Sequence, residues 1–196
     1  MIRSCWTQIL EFVGAIGMKW MHWQLAIFSG FLTVGAVALA APFGDKDDVE
    51  YAAKLWKALE KGHFIGKQAI YSSPYTGRHP HGAVLDTIDG ELKVRGETGA
   101  VIVKRNYGGE GVSKQSVANN PKKYLMAVTV MYKRKGYDPE DGDWFWAKYN
   151  PDGSLAKNPK GVALAGRVAK GASEGCIACH KDAPGGDFVF NNDRIK

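Results

Sequence analysis

The chain has 196 residues, of which 45% are hydrophobic, and a formal net charge of +6. This length fits one ordinary domain plus an extension, and the hydrophobic share is enough for a real core. The modest charge permits an acidic partner or an anionic ligand but does not demand nucleic acid, and we predict no nucleic-acid partner.

The first forty residues predict a secretory signal peptide. The segment from Leu25 to Ala41 carries no charge, and Ala38-Leu39-Ala40 is a small-x-small cleavage signal. Because the stretch ahead of it is long for an n-region, Met18 is a more usual start than Met1. The alternative is an uncleaved anchor helix, although so short an apolar run would barely span a bilayer. We therefore expect export to the periplasm and a single mature domain over residues 41–196.

A helix is predicted over residues 45–62, at the start of the mature chain. Asp45 or Asp47 can cap it, acidic residues fill its first turn, and Gly62 ends it. Its apolar residues recur at helical spacing: Val49, Ala52, Leu55, Trp56 and Leu59.

The rest of the mature chain predicts an antiparallel sheet. Runs rich in β-branched and aromatic residues, separated by Gly, Pro, Asp and Asn, fall at 81–88, 100–107, 124–134 and 143–150. The final segment, 161–182, is typical of a loop followed by a short helix. The fold class is therefore α+β, an antiparallel sheet with flanking helices in one domain.

The motif Cys176-x-x-Cys179-His180 lies in that final helix. A thioredoxin-like pair needs a βαβ setting, and a structural zinc site needs further ligands that no second cysteine pair supplies. On a helical turn the two thiols can instead reach the two vinyl groups of a haem, and His180 can ligate its iron. The predicted export would also supply the compartment in which c-type haem is attached, outside the cytoplasm. We therefore predict one haem c, bound covalently through Cys176 and Cys179.

The sequence offers few candidates for a second axial ligand of the iron. An electron-transfer cytochrome usually has a methionine after the motif, and none follows His180. We predict a five-coordinate iron at rest, with core-filling roles for Met126 and Met131. The alternative is bis-histidine ligation by His79 or His81. Such an open iron would bind or transform small molecules.

The chain resembles the cytochrome P-460 family and the related β-sheet cytochromes c′. The resemblance rests on "HPHG" (79–82), "VIVKRNY" (101–107), the run from 128 to 153 that contains "DGDWFWAKYNPDG", and "CIACH" (176–180). It implies a homodimer with about five antiparallel strands and a five-coordinate haem. It also implies one of two activities: oxidation of hydroxylamine with a lysine joined to the haem, or nitric oxide binding without that bond.

Lys104 is the candidate for the cross-linking lysine, and Lys114 is the second choice. Strand alternation places Val101 and Val103 on one face and Ile102 and Lys104 on the other. Burial beside Ile102 would favour the neutral amine, which is the nucleophilic form of lysine. The alternative is a strand-end lysine whose amine stays in water.

Two further elements are candidates for the wall of the haem site. The resemblance implies that Arg78 handles protons or anions beside the haem; the alternative is a surface arginine in a turn. The aromatic run from Trp144 to Trp146 could contact the haem or could fill the core of the sheet.

Three functions stay open for the sequence. The first is a periplasmic haem oxidoreductase that converts hydroxylamine, or a related nitrogen species, to nitrogen oxides and passes electrons to a redox partner protein. The second is a non-enzymatic nitric oxide binder, which an apolar cavity would favour. The third is an electron carrier. Polar groups able to move protons would favour the enzyme.

Overall fold

The computed structural model describes residues 43–184 and 186–190; the predicted signal peptide lies outside them. The helices are α1 (Lys46–Lys61), α2 (Lys114–Asn119), α3 (Pro121–Tyr124) and α4 (Cys176–Lys181). The strands are β1 (Tyr75–Thr76), β2 (Val84–Val94), β3 (Glu97–Tyr107), β4 (Leu125–Lys133), β5 (Trp144–Tyr149) and β6 (Ala165–Gly166). No helix in the described ranges is long and apolar enough to cross a bilayer.

The strands form one six-stranded antiparallel sheet in simple sequence order, β1 to β6. This confirms the α+β prediction, and the four predicted runs correspond to β2, β3, β4 and β5. The sheet has six strands where about five were expected, because β1 and β6 are additional edge strands of two residues each. Strands this short are too brief to produce an alternating pattern in the sequence.

Helix α1 covers one face of the sheet. Asp45 caps it by accepting a hydrogen bond from the Asp48 backbone N–H, and Gly62 ends it, as predicted. Its buried face packs with β3 and β5 residues in the main core: Tyr51, Ala52, Leu55 and Leu59. Val49 was expected on that face but is 38% exposed, and Tyr51 takes the buried place instead.

The alternation of each strand separates this main core from a second, opposite face. Val101 and Val103 are fully buried on the α1 side, whereas Ile102 packs on the other face. In β5, Phe145 belongs to the α1 side, while Trp144 and Trp146 belong to the second face. The predicted division of β3 into two faces is therefore confirmed.

The two methionines of β4 behave differently. Met131 is buried on the second face, but Met126 is 60% exposed, which contradicts its predicted core role. The register between β3 and β4 shifts at Asn106 and Tyr107, so that Met126 pairs with neither. A bulge of this kind leaves the extra residue unpaired and lets its side chain leave the core.

Candidate haem site

A cavity of about 690 Å³ lies between the second face of the sheet and α4. This volume is typical of small-molecule and cofactor sites, which span roughly 300–1,000 Å³. Its wall is largely apolar, with a few polar side chains among the apolar ones. The apolar part includes Phe43, Ile102, Val130, Met131, Leu164, Val168 and Phe190.

The CxxCH motif forms one wall of this cavity. Cys176, Cys179 and His180 all line it from α4, and both cysteines are free thiols. Residues three apart on a helix share a face, so the two sulfurs lie on the same side. Burial raises the pKa of the Cys176 thiol to about 11. The cavity volume and the donor set therefore fit a haem held by two thioethers and His180.

Gly175 sets the start of α4. Its φ of +124° is one that side-chain-bearing residues rarely adopt, and a Cβ there would come within 2.2 Å of the Ala169 Cβ. Lys170, five residues earlier, pairs with three carboxylates in the connection between β4 and β5: Asp138, Glu140 and Asp141. Together these contacts fix the chain that leads into the motif against the sheet.

The imidazole of His180 is oriented by the chain that follows α4. Its Nδ1 lies 2.8 Å from the backbone carbonyl of Phe188. A carbonyl can only accept, so Nδ1 carries the hydrogen and the lone pair of the neutral ring is on Nε2. Metal-binding histidines usually have this arrangement, in which the second ring nitrogen donates to a carbonyl. His180 is therefore set up to bind iron through Nε2.

Residues 186–190 form a strap that delivers this carbonyl. Asp187 and Phe188 both have positive φ, at 48° and 63°. Trp144 Nε1 donates to the Asp187 carbonyl at 2.9 Å, and Lys133 pairs with the Asp187 carboxylate at 2.5 Å. These contacts hold the left-handed backbone that non-glycine residues otherwise avoid.

Lys104 lines the cavity from β3, half-buried and on the same face as Ile102. Lys148 lines it as well, and the register across β3, β4 and β5 places Lys104, Thr129 and Lys148 in one row. Lys114 is exposed at the start of α2 and does not line the cavity. The structure thus brings Lys104 and His180 to one cavity and adds Lys148, which the sequence reasoning missed.

Arg78 lies in the turn before His79, where it is exposed. It does not belong to the cavity wall, whereas His79, Pro80 and His81 do. This position matches the alternative of a surface arginine in a turn. The role of Arg78 in handling protons or anions beside the haem stays a prediction.

The imidazole of His81 lies beside that of His180. The centroids of the two imidazoles are 6.1 Å apart and their planes are perpendicular. Burial lowers the pKa of His81 to about 4, and the nearby Lys104 acts in the same direction. His81 is therefore neutral at physiological pH, with its Nδ1 3.2 Å from Asn106 Oδ1.

Aromatic rings enclose His180 on further sides. Trp146 and Phe190 pack edge-on against it, with centroids 4.8 and 5.2 Å away. Trp146 also lines the cavity, whereas Phe145 lies in the opposite core. The aromatic run of β5 therefore serves both faces of the sheet.

Three parts of the site escaped the sequence reasoning. Lys148 could have been found, because it continues the alternation that places Trp144 and Trp146 on the cavity side. Asn106 and the strap 186–190 carry no motif, since their roles depend on contacts between distant parts of the chain.

Comparisons with known proteins address the resemblance directly. The family model for cytochrome P-460 matches residues 89–191, which is just over half of the chain. No curated protein and no solved structure matches the chain. The matched range contains Lys104, the aromatic run of β5 and the CxxCH motif, and the chain therefore belongs to the cytochrome P-460 family of haem cytochromes.

Proposed function

We propose that the chain is an exported mono-haem c-type cytochrome that oxidises hydroxylamine, or a related small nitrogen species, to nitrogen oxides. The observation that carries this proposal is the presence of Lys104 in the same cavity as Cys176, Cys179 and His180. In this proposal the two cysteines hold the haem, His180 ligates its iron, and Lys104 forms the further covalent bond to the ring.

The haem, when bound, supplies the redox chemistry. Oxidation of hydroxylamine to nitric oxide removes its three hydrogens as protons together with three electrons. Those electrons must leave to a separate acceptor, so we propose a periplasmic redox partner protein. We also propose a homodimer, as the family resemblance implies. His79 and His81 line the cavity as polar groups, and polar groups able to relay protons favour the enzyme over a passive binder.

The test is turnover of hydroxylamine by the purified haem-loaded protein, followed by reduction of a phenazine–indophenol dye couple. Mass spectrometry of the haem-bearing peptides should show one haem joined to both the 176–180 peptide and the peptide that contains Lys104. Lys104→Ala should then keep haem but lose turnover, because the proposed cross-link is gone.

Lys148→Ala is the matched control for Lys104→Ala. Lys148 lines the same cavity in the same row across the sheet, so its loss removes a comparable charge and stem. We expect this variant to keep both the cross-link and turnover. Loss of the cross-link in Lys148→Ala, with Lys104→Ala unaffected, would assign the bond to Lys148 instead.

Nitric oxide binding without turnover is the second candidate function. It is favoured by the largely apolar wall, which includes Ile102, Met131 and Val168. A haem attached only to the 176–180 peptide, with tight nitric oxide binding and no dye reduction, would select this function over the first.

A further inference from the structure

We propose that Asp187 is a positioning residue for the imidazole of His180, because it fixes the Phe188 carbonyl to which that imidazole donates its hydrogen bond. This inference rests on the haem iron that the proposed function places on His180. It deepens that function by naming a group that sets the reduction potential of the haem. Asp187 does not line the cavity, so it acts through Phe188.

The hydrogen bond from His180 is the link between the protein and the iron. Its Nδ1–H donates to the Phe188 carbonyl at 2.8 Å, and the imidazole is buried. Such a bond orients the ring and makes the ligating nitrogen more basic. A more basic ligand stabilises ferric iron relative to ferrous iron, and hydrogen bonds of this kind are one way in which a protein sets the potential of a haem. The position of this carbonyl therefore influences the potential.

The carbonyl belongs to a tight turn whose backbone is strained. The Val189 N–H donates to the Gly186 carbonyl at 3.0 Å and closes the turn. The two central residues, Asp187 and Phe188, both have positive φ, as in a type I′ turn. Such turns favour glycine, asparagine and aspartate, so phenylalanine is an unfavourable choice for the second central position. Contacts from outside the turn must therefore hold it.

Asp187 makes those contacts with two neighbouring strands. Trp144 Nε1, on β5, lies 2.9 Å from the Asp187 carbonyl and 3.3 Å from its carboxylate. The same carboxylate pairs with Lys133 Nζ, at the end of β4, at 2.5 Å. The residue directly before Phe188 is thus fixed through both its backbone and its side chain.

Lys133 is itself held in place before it meets the carboxylate. Its Nζ donates to the Gly142 carbonyl at 2.6 Å and lies 4.5 Å from the centroid of the Trp144 ring. An exposed ion pair usually contributes little to stability, partly because two long side chains must be ordered. Here Gly142 and Trp144 already order the lysine. The pair with Asp187 therefore serves to locate the turn, and its loss should leave the protein folded.

The decisive measurement is the one-electron reduction potential of the haem-loaded protein, by spectroelectrochemical titration. Asp187→Ala should shift the ferric–ferrous equilibrium roughly tenfold towards ferrous iron, which raises the potential by about 59 mV. Lys133→Met should raise the potential as well. The sign in Lys133→Met is diagnostic, because loss of a positive charge acting through space alone would favour ferric iron and lower the potential.

Asp182→Ala is the matched control for Asp187→Ala. Asp182 is an exposed aspartate two residues after His180, so its loss reports the effect of a missing negative charge alone. Its shift in potential should be small beside that of Asp187→Ala. Resonance Raman spectra of the ferrous proteins supply a second readout. The iron–imidazole stretching frequency should fall in Asp187→Ala and Lys133→Met and stay unchanged in Asp182→Ala.

The possible outcomes separate this inference from the proposed function. A raised potential in both Asp187→Ala and Lys133→Met supports the inference even where hydroxylamine is not turned over. An unchanged potential in Asp187→Ala, or an equal shift in Asp182→Ala, overturns it even where turnover is found. A lowered potential in Lys133→Met also overturns it, and this variant decides alone if Asp187→Ala does not fold.

Discussion

Protein in which Cys176 and Cys179 are both replaced by alanine should carry no covalently bound haem. The proposed function makes these two thiols, which α4 presents to the cavity, the donors of the thioethers, and they are the cysteines within the described residues. Without them, His180 would bind haem only reversibly, and the proposed bond to Lys104 needs a haem that the thioethers already hold in the cavity. Extraction with acidified organic solvent should remove all haem from the double variant and none from the wild type.

The single variants and a distant control sharpen this test. Cys176→Ala and Cys179→Ala should each retain one thioether, visible as a shifted absorption band of the alkaline pyridine complex. Cys5→Ala should not change the haem content, because Cys5 lies in the predicted signal peptide. Haem that resists extraction from the double variant would mean that another residue holds it, and Lys104 would be the first to examine.

The parts of the fold that local chemistry dictates were predictable. Helix α1 begins and ends where its Asp45 cap and Gly62 indicate. The placement of Lys104 beside Ile102 followed from the two-residue period of a strand, which any long strand must obey. Lys104 reaches the cavity for that reason, although the sequence could not show what lies opposite it.

The parts that tertiary contacts decide were not predictable. Nothing in "GRHPHG" distinguishes His79 from His81, because the difference arises from Asn106 on a neighbouring strand. Met126 looked like a core residue until the bulge between β3 and β4 removed it from the alternation. The family resemblance likewise made Arg78 a candidate for the cavity; its side chain is exposed and does not line the cavity, and its role stays a prediction.

Arg105 is a buried charged residue whose replacement should strongly lower the stability of the folded protein. Arg105 is 2% exposed, and its guanidinium pairs with the buried Asp86 at 2.7 Å. It also donates to the carbonyls of Phe64 and Ile70 and lies over the Tyr71 ring. Arg105 thus holds the segment between α1 and β1 against the sheet. That segment leads directly to Tyr75, which lines the cavity. The Tyr75 hydroxyl forms a 2.7 Å hydrogen bond with the Thr87 hydroxyl.

Arg105→Met should therefore lower the free energy of unfolding by about 3–5 kcal/mol, since it leaves the Asp86 carboxylate buried without its partner. For a chain of this size the midpoint of thermal unfolding should fall by roughly 10 °C. Thermal and urea unfolding, followed by circular dichroism, measure both quantities on the haem-loaded protein.

The double variant Asp86→Asn, Arg105→Met should recover part of this loss. Asparagine removes the negative charge that would otherwise stay buried without a partner, while its oxygen can still accept the hydrogen bond that Ser72 N–H donates to Asp86.

Arg78→Met is the matched control, because it removes the same chemical group from an exposed turn. Its effect should stay within about 0.5 kcal/mol, as is usual for surface substitutions. If Arg105→Met and Arg78→Met proved equally stable, Arg105 would not be what holds the segment before β1, and the wall of the haem cavity at Tyr75 would have to be supported by the main core instead.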